Sequence, residues 1–363
     1  MLGRTPGIAQ ISLDLIMVFV RFITKVVPTD NFFAAIKGGC DRKIMTISIE
    51  TGSTKPSSFL VTTTMACPPD ILTLATSGTP KPFAFVRAIG PATIQTARDA
   101  ANAGLVLPIL VGEPEIIAND AAAIGWDLSG IEIIPANGER EAVDESIALF
   151  AAGRVAGLAK GQLHTDVFMG GIVKRTAGIR TGNRLLHVFV LLPPAGGRPL
   201  LISDAAVNVT PDIDTRVEAA LAVAEMSRRL GQPCPRIAIL SATESVLKAM
   251  PSSVEAAEIA SRAAALDPQA EFAGPLSFDL AISPEAAAIK GFGGPVSGMA
   301  DGLVVPDIVS GNILFKSIVW FSGGLAAGVV LGGAIPIVLT SRSDPPAARL
   351  ASLAMAAIYN QEI

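Results

Sequence analysis

From Pro82 onward, short apolar runs bounded by turn residues alternate with longer stretches whose apolar positions recur at helical spacing. Runs rich in Val, Ile and Leu with no polar alternation are those of strands covered on both faces. They are LPILVGE from Leu107, IEIIP from Ile131, RVAGLAKG from Arg154, HVFVLL from His187, PLLISD from Pro199, RIAILS from Arg236, DGLVVPD from Asp301 and IPIVLTS from Ile335. Between them, Thr93 to Ala103 and Asp212 to Leu230 read as helices; the second opens on Thr210-Pro211-Asp212 and stops before Gly231. The alternation predicts an α/β fold with a mainly parallel sheet and helices on both faces. LLPPAGGRPLL, with Pro-Pro beside Gly-Gly, reads as a hairpin-like excursion, so the sheet is not purely parallel.

Two stretches test this pattern. Ser317 to Ser341 carries no ionisable side chain and is long enough to cross a bilayer. However, Gly332-Gly333 interrupts any helix and IPIVLTS is β-branched and turn-bounded, so we expect a helix, a glycine turn, a buried strand and a loop. Gly323, Gly324 and Gly328 are read as allowing close helix packing. Asp344-Pro345-Pro346 then reads as an N-cap with prolines in the first helical turn. At the other end, Ser12 to Val27 is apolar but broken by Asp14, Arg21 and Lys25, and a Thr/Ser/Gly-rich stretch follows. It makes a poor signal peptide. We expect residues 1–64 to be a poorly ordered extension, or translation to begin at Met45 or Met65.

Composition narrows the function. Only 17% of the 363 residues are charged, against roughly 25% in an average protein. Aromatics are 5% and the net charge is −4, which argues against a nucleic-acid partner. The three cysteines, Cys40, Cys67 and Cys234, are widely spaced, suggesting reduced thiols in a cytoplasmic protein rather than disulfides or zinc ligands. The two histidines, His164 and His187, have no metal-binding spacing, so no metal site is expected.

Polar residues cluster just after the strand runs, in LAKGQLHTD (Leu158 to Asp166), ISDAAVNVTPD (Ile202 to Asp212), LSATES (Leu240 to Ser245), GPLSFDLAIS (Gly274 to Ser283), VPDIVSGNILFK (Val305 to Lys316) and LTSRSD (Leu339 to Asp344). Singly, each is a turn or a cap. In this order, roughly from Met65 to the end of the chain, the series resembles the phosphate acetyltransferase and phosphate butyryltransferase family. The resemblance implies reversible transfer of an acyl group between coenzyme A and inorganic phosphate, both bound as substrates with no tightly held cofactor. It also implies a two-domain fold like that of isocitrate and isopropylmalate dehydrogenases, an interdomain cleft and a homodimer. On that pattern, residues 65–182 plus 328–363 form domain I and 183–327 domain II. The block at GPLSFDLAISPEAAAIKG leans toward the butyryl branch, while the acyl preference itself is not legible.

The resemblance carries catalysis to Ser341 and Arg342. A guanidinium can hold phosphate bidentately and a hydroxyl can hydrogen-bond the thiol or the developing oxyanion. The acetyl branch has an aspartate seven residues after the serine as proposed base; here that position is Ala348. Asp344 is read as a cap, so the base is not identified. Lys160 reads equally as a phosphate contact or a solvated lysine. Thr165 reads as a helix N-cap with His164 beside it, and both are candidate substrate contacts. Asp204 and Asn208 either line the cleft or end a strand. Asn312 and Lys316, at i and i+4 spacing, are candidate coenzyme A contacts on an otherwise solvated face. Asp279 and Asp307 read as structural. The competing readings are a metal- and NAD-dependent hydroxy-acid dehydrogenase, which needs clustered carboxylates, an enzyme making long-chain acyl phosphates, and a silent coenzyme A-binding protein.

Overall fold

The computed structural model describes residues 59–61, 65–341 and 344–361. The expectation for the N-terminal extension therefore falls almost wholly outside the described residues, as does Arg342. Among the described residues, eleven strands form one sheet: β1 (Lys81–Val86), β2 (Val106–Gly112), β3 (Glu132–Pro135), β4 (Gly157–Lys160), β5 (Leu186–Leu192), β6 (Leu200–Ser203), β7 (Arg236–Leu240), β8 (Glu271–Leu276), β9 (Gly302–Val304), β10 (Leu325–Leu331) and β11 (Ile337–Val338). Their order is β3-β2-β1-β4-β11-β10-β5-β6-β9-β7-β8. All neighbours are parallel except β11–β10, β10–β5 and β5–β6. The sheet is thus two parallel sets running in opposite directions, joined through the antiparallel strands β10 and β5.

Alternate residues of each strand face different helical layers, as the pleat requires. In β1, Phe83 and Phe85 enter a core shared with α1 (Pro69–Ala75), α2 (Pro91–Asn102), α6 (Ile213–Arg229), α7 (Pro251–Leu266) and α11 (Pro346–Tyr359). Ala84 and Val86 instead meet α4 (Gly138–Ala151) and α5 (Thr165–Ile172). In the second half, Leu191 and Ile202 pack with α8 (Phe278–Ile282), α9 (Pro284–Ile289) and α10 (Ile308–Ser322). Helix α3 (Pro114–Ala123) packs beside α2 through the buried Ile117 and Ala121. Proline opens α2, α3, α7, α9 and α11, where its missing N–H costs nothing. Asp212 and Asp307 cap α6 and α10 by accepting from Thr215 N and Ser310 N.

The Pro-Pro/Gly-Gly excursion is the β5–β6 hairpin. Several expectations need correcting. Ser317 to Leu331 is not one helix: α10 ends at Gly323, which takes a left-handed conformation (φ 73°), and LAAGVVL is strand β10. Gly328 does not ease helix packing; a Cβ there would lie 2.6 Å from the His187 ring on β5. Strand β11 is shorter than IPIVLTS, and one of its two neighbours is antiparallel. The N-cap of α5 is His164 rather than Thr165. Asp344 does not cap α11, since Pro345 occupies that position and no side chain caps the helix. No helix among the described residues is long and apolar enough to cross a membrane.

Candidate active site

Strand β11 lies between β4 and β10, with Ile337 beside Leu158 and Val338 beside Ala159. This register brings the loops after β4 and β11 together at one sheet edge. A pocket of about 100 Å³ opens there, roofed by the first turns of α2 and α11 and lined by Thr93, Thr96, Lys160, Gln162, Ser341 and Arg349 among others. Lys160 is only 8% exposed, so the lysine is a buried cation at this edge and not a solvated one. Gly161 makes the approach of β1 and β4 possible: its N–H donates to Val86 O (2.9 Å), and Gln162 N donates to Arg87 O (3.0 Å).

Asp344 belongs to the same edge. Its Oδ2 accepts from Ser341 N at 2.7 Å. Burial raises the carboxyl above its ordinary range, opposed by the Ser341 N–H and by the charges of Arg349 and Lys316. Lys316 of α10 thus acts electrostatically on the loop that holds Ser341. Arg349 Nε donates to Thr96 Oγ1 (2.8 Å), and its Nη1 donates to Asp344 O.

His164 and Thr165 begin α5 at the same edge. His164 Nδ1 lies 2.8 Å from Glu139 Oε1, and its side chain is 68% exposed. Arg87, in a left-handed conformation (φ 54°), joins Glu113 (3.2 Å) and Glu139 (3.4 Å) and donates to Gln162 O (3.2 Å). Burial would raise the Glu113 carboxyl, but backbone N–H groups and Arg87 outweigh it and hold it below its ordinary value. The residues after β1, β2, β3 and β4 are therefore tied into one polar chain that ends at the pocket.

Asp204 and Asn208 lie elsewhere. They follow β6, which is four strands from β4, a lateral separation on the order of 20 Å at sheet spacing. The Asp204 carboxylate accepts from Ala206 N, Val207 N, His187 N and Asn208 Nδ2, at 2.7 to 3.2 Å. Asn208 also donates to Leu185 O. These bonds give both residues a local role in holding the turn after β6. Asn312 reaches toward that turn, with Nδ2 3.4 Å from Ala205 O. Asp279 is a local brace as well, with Ser277 and Lys290 holding its carboxyl down to about 2. A larger cavity of about 420 Å³ opens at the amino end of β1, near Lys81 and Asn360, and gathers none of the expected residues.

Thr96, Gln162, Glu139 and Arg349 were not foreseen. Thr96 and Arg349 sit on helices and meet only through the tertiary fold, while Gln162 lies within the quoted LAKGQLHTD and was legible by position.

A buried lysine, a serine loop and helix first turns thus meet at one edge of a mainly parallel α/β sheet, where such folds commonly bind ligands. A family model described as phosphate acetyl/butaryl transferase matches residues 140–357. A Rhizobium meliloti protein named phosphate acetyltransferase is 42% identical over 72% of this chain and 84% of its own. A phosphate butyryltransferase of Clostridium acetobutylicum is 29% identical over 73% of this chain and 88% of its own. A crystal structure of a branched-chain phosphotransacylase from Enterococcus faecalis superimposes with a TM-score of 0.67 at 30% identity, covering 77% of this chain and 99% of that one. The chain belongs to the phosphate acetyl/butyryl transferase family and is an acyltransferase. Neither the dehydrogenase reading nor the silent binding protein finds support in these relatives.

Proposed function

We propose that the pocket beneath Ser341 carries out the transfer, with coenzyme A, its acyl thioester and inorganic phosphate as the substrates. The observation that supports this most is the meeting of buried Lys160 with Ser341 in one pocket, from strands far apart in sequence. In this reading a phosphate oxygen attacks the thioester carbonyl carbon, a C–O bond forms, and the tetrahedral oxyanion collapses with loss of the C–S bond. The thiolate leaves and takes up a proton. Lys160 and Arg342 hold the phosphate, and Ser341 hydrogen-bonds the oxyanion or the departing sulfur. His164, Thr165 and Lys316 stand around the same edge as contacts for the substrates' polar groups.

Acetyl is the preferred acyl group in this proposal, against the butyryl lean of the GPLSFDLAIS block. Identity to relatives named acetyltransferases reaches 42%, against 29–31% for the two clostridial butyryltransferases, and the pocket is small. The test is phosphate-dependent release of free thiol from acetyl-CoA and butyryl-CoA. Turnover should require phosphate, favour acetyl-CoA, and fall by about a hundredfold or more in Arg342→Ala. Equal rates for a folded Arg342→Ala protein would remove that residue from the mechanism.

A two-lobed arrangement of the isocitrate dehydrogenase kind, with a cleft between 65–182 plus 328–363 and 183–327, belongs to the same proposal; the reversal of strand direction across β10 and β5 supports it. So does a homodimer through α10. That helix buries only Gly311, while Val309, Ile313 and Trp320 form one stripe exposed by 62, 61 and 55%. Such a stripe is expected to be covered. Ile313→Glu combined with Trp320→Glu should convert a dimer to a monomer in sedimentation equilibrium, and a monomeric wild type would refute the assignment. A cytoplasmic location is retained on cysteine usage alone.

A further inference from the structure

Arg349 lies in the first turns of α11 and is 8% exposed. Its guanidinium makes two bonds, to two different parts of the chain. Nε donates to Thr96 Oγ1 on α2, and Nη1 donates to the main-chain oxygen of Asp344. Thr96 is itself fixed, since its hydroxyl donates to Ala92 O at 2.7 Å. Asp344 in turn receives Ser341 N on its carboxylate and donates its own N–H to Ser341 O (3.2 Å). A path from α2 to the main chain of Ser341 thus runs through the Arg349 side chain. Thr93, one turn before Thr96, lines the pocket that Ser341 also lines.

We propose that Arg349 is a positioning residue, which sets the depth of Ser341 in the pocket by tying the Ser341–Asp344 loop to α2. The two bonds between Ser341 and Asp344 join these residues to each other. The guanidinium joins this pair to α2, because its planar fork can satisfy two acceptors in different directions. A residue holding only structure would change stability alone. One that sets the reach of a reacting hydroxyl changes the chemical step, because a displacement of about 1 Å can cost on the order of a hundredfold. The inference rests on the assignment of Ser341 to the reaction.

The test measures phosphate-dependent thiol release from acetyl-CoA, with thermal unfolding, for wild type, Ser341→Ala, Thr96→Val, Arg349→Lys, Arg349→Met and the double variant Thr96→Val/Arg349→Met. In folded Arg349→Met, kcat should fall by about 10–100-fold while KM for phosphate and acetyl-CoA changes by less than about threefold. Arg349→Lys, able to reach one acceptor at a time, should recover part of the rate. The double variant should be no slower than Arg349→Met, because both changes cut one link. A folded Arg349→Met with kcat within about twofold of wild type, or losses that multiply in the double variant, would overturn the proposal. Normal turnover in Ser341→Ala would instead sink the assignment of Ser341, and the inference with it.

Discussion

Gly161→Ala is expected to cost about 3 kcal/mol or more of stability and on the order of a hundredfold in turnover. A Cβ at this position would lie 2.4 Å from Arg87 O and 2.6 Å from Val86 O. Both are main-chain oxygens of the segment leaving β1, and no flexible side chain stands in between to give way. The methyl group can be housed only by moving the ends of β1 and β4 apart. That movement breaks the bonds from Gly161 N and Gln162 N and carries Lys160 and Gln162 away from the Ser341 loop. Urea unfolding and the thiol-release assay measure the two effects. Gly170→Ala supplies the comparison: it lies within α5 with nothing beyond its own stretch of helix within 4 Å of the added carbon, and should stabilise by about 0.5–1 kcal/mol with activity unchanged. Equal stability of the two variants would show that the β1–β4 junction yields more readily than its geometry indicates.

Stability should also fall steeply on mild acidification, because of His187. The ring is buried at the centre of the sheet, 4.2 Å from the Phe189 ring and over the gap left by Gly328. Burial lowers its pKa from 6.5 to about 4, with the Asp204 carboxylate opposing the shift. The folded protein therefore keeps a neutral imidazole where the unfolded chain is protonated. A depressed basic pKa gives stability that is complete above the unfolded value of 6.5. It is lost as pH falls toward about 4, by up to roughly 3 kcal/mol. Carboxylates held below their ordinary values, Glu113 and Glu139 among them, add to the loss only near and below their own range. Asp344, whose carboxyl burial raises, works in the opposite direction on acidification, so the contrast with a variant lacking the imidazole isolates the histidine between pH 6.5 and 5. Urea midpoints across it should slope in the wild type and flatten in His187→Phe, which keeps a ring against Phe189. Parallel slopes would exclude His187 as the cause.

The fold was readable wherever a strand is branched and uninterrupted. Eight runs marked strands of the sheet, and the hairpin announced itself by its prolines and glycines. Strands β1, β8 and β10 escaped for reasons visible in their residues. KPFAFV carries a proline at its second position, EFAGPL holds Gly-Pro, and LAAGVVL has the small residues of a tightly packed helix. In β10 the deciding fact is the His187 ring above Gly328, which no local pattern contains. The same division governs the site. Lys160 ends strand β4 and Ser341 follows β11, so both could be found by position. Arg349 and Thr96 are helical residues whose purpose shows only in tertiary contacts, with each other, with Asp344 O and with the pocket. Asp344 misled because aspartate before proline is a good cap by local preference, whereas the fold turns its carboxylate back to Ser341 N.

The position of β11 also bears on how the protein is made. Strands β1 to β4 follow one another along the chain and pair into a parallel unit, but the free edge of β4 receives its partner only from Ile337 and Val338. During synthesis that edge stays open while the intervening residues emerge. An unpaired, apolar strand edge is a point of self-association. The pocket is completed by a segment made long after β4, so a chain cut before Ser341 would lack one wall of the site. Newly made protein should accordingly gain protease resistance in its early half before it gains any activity.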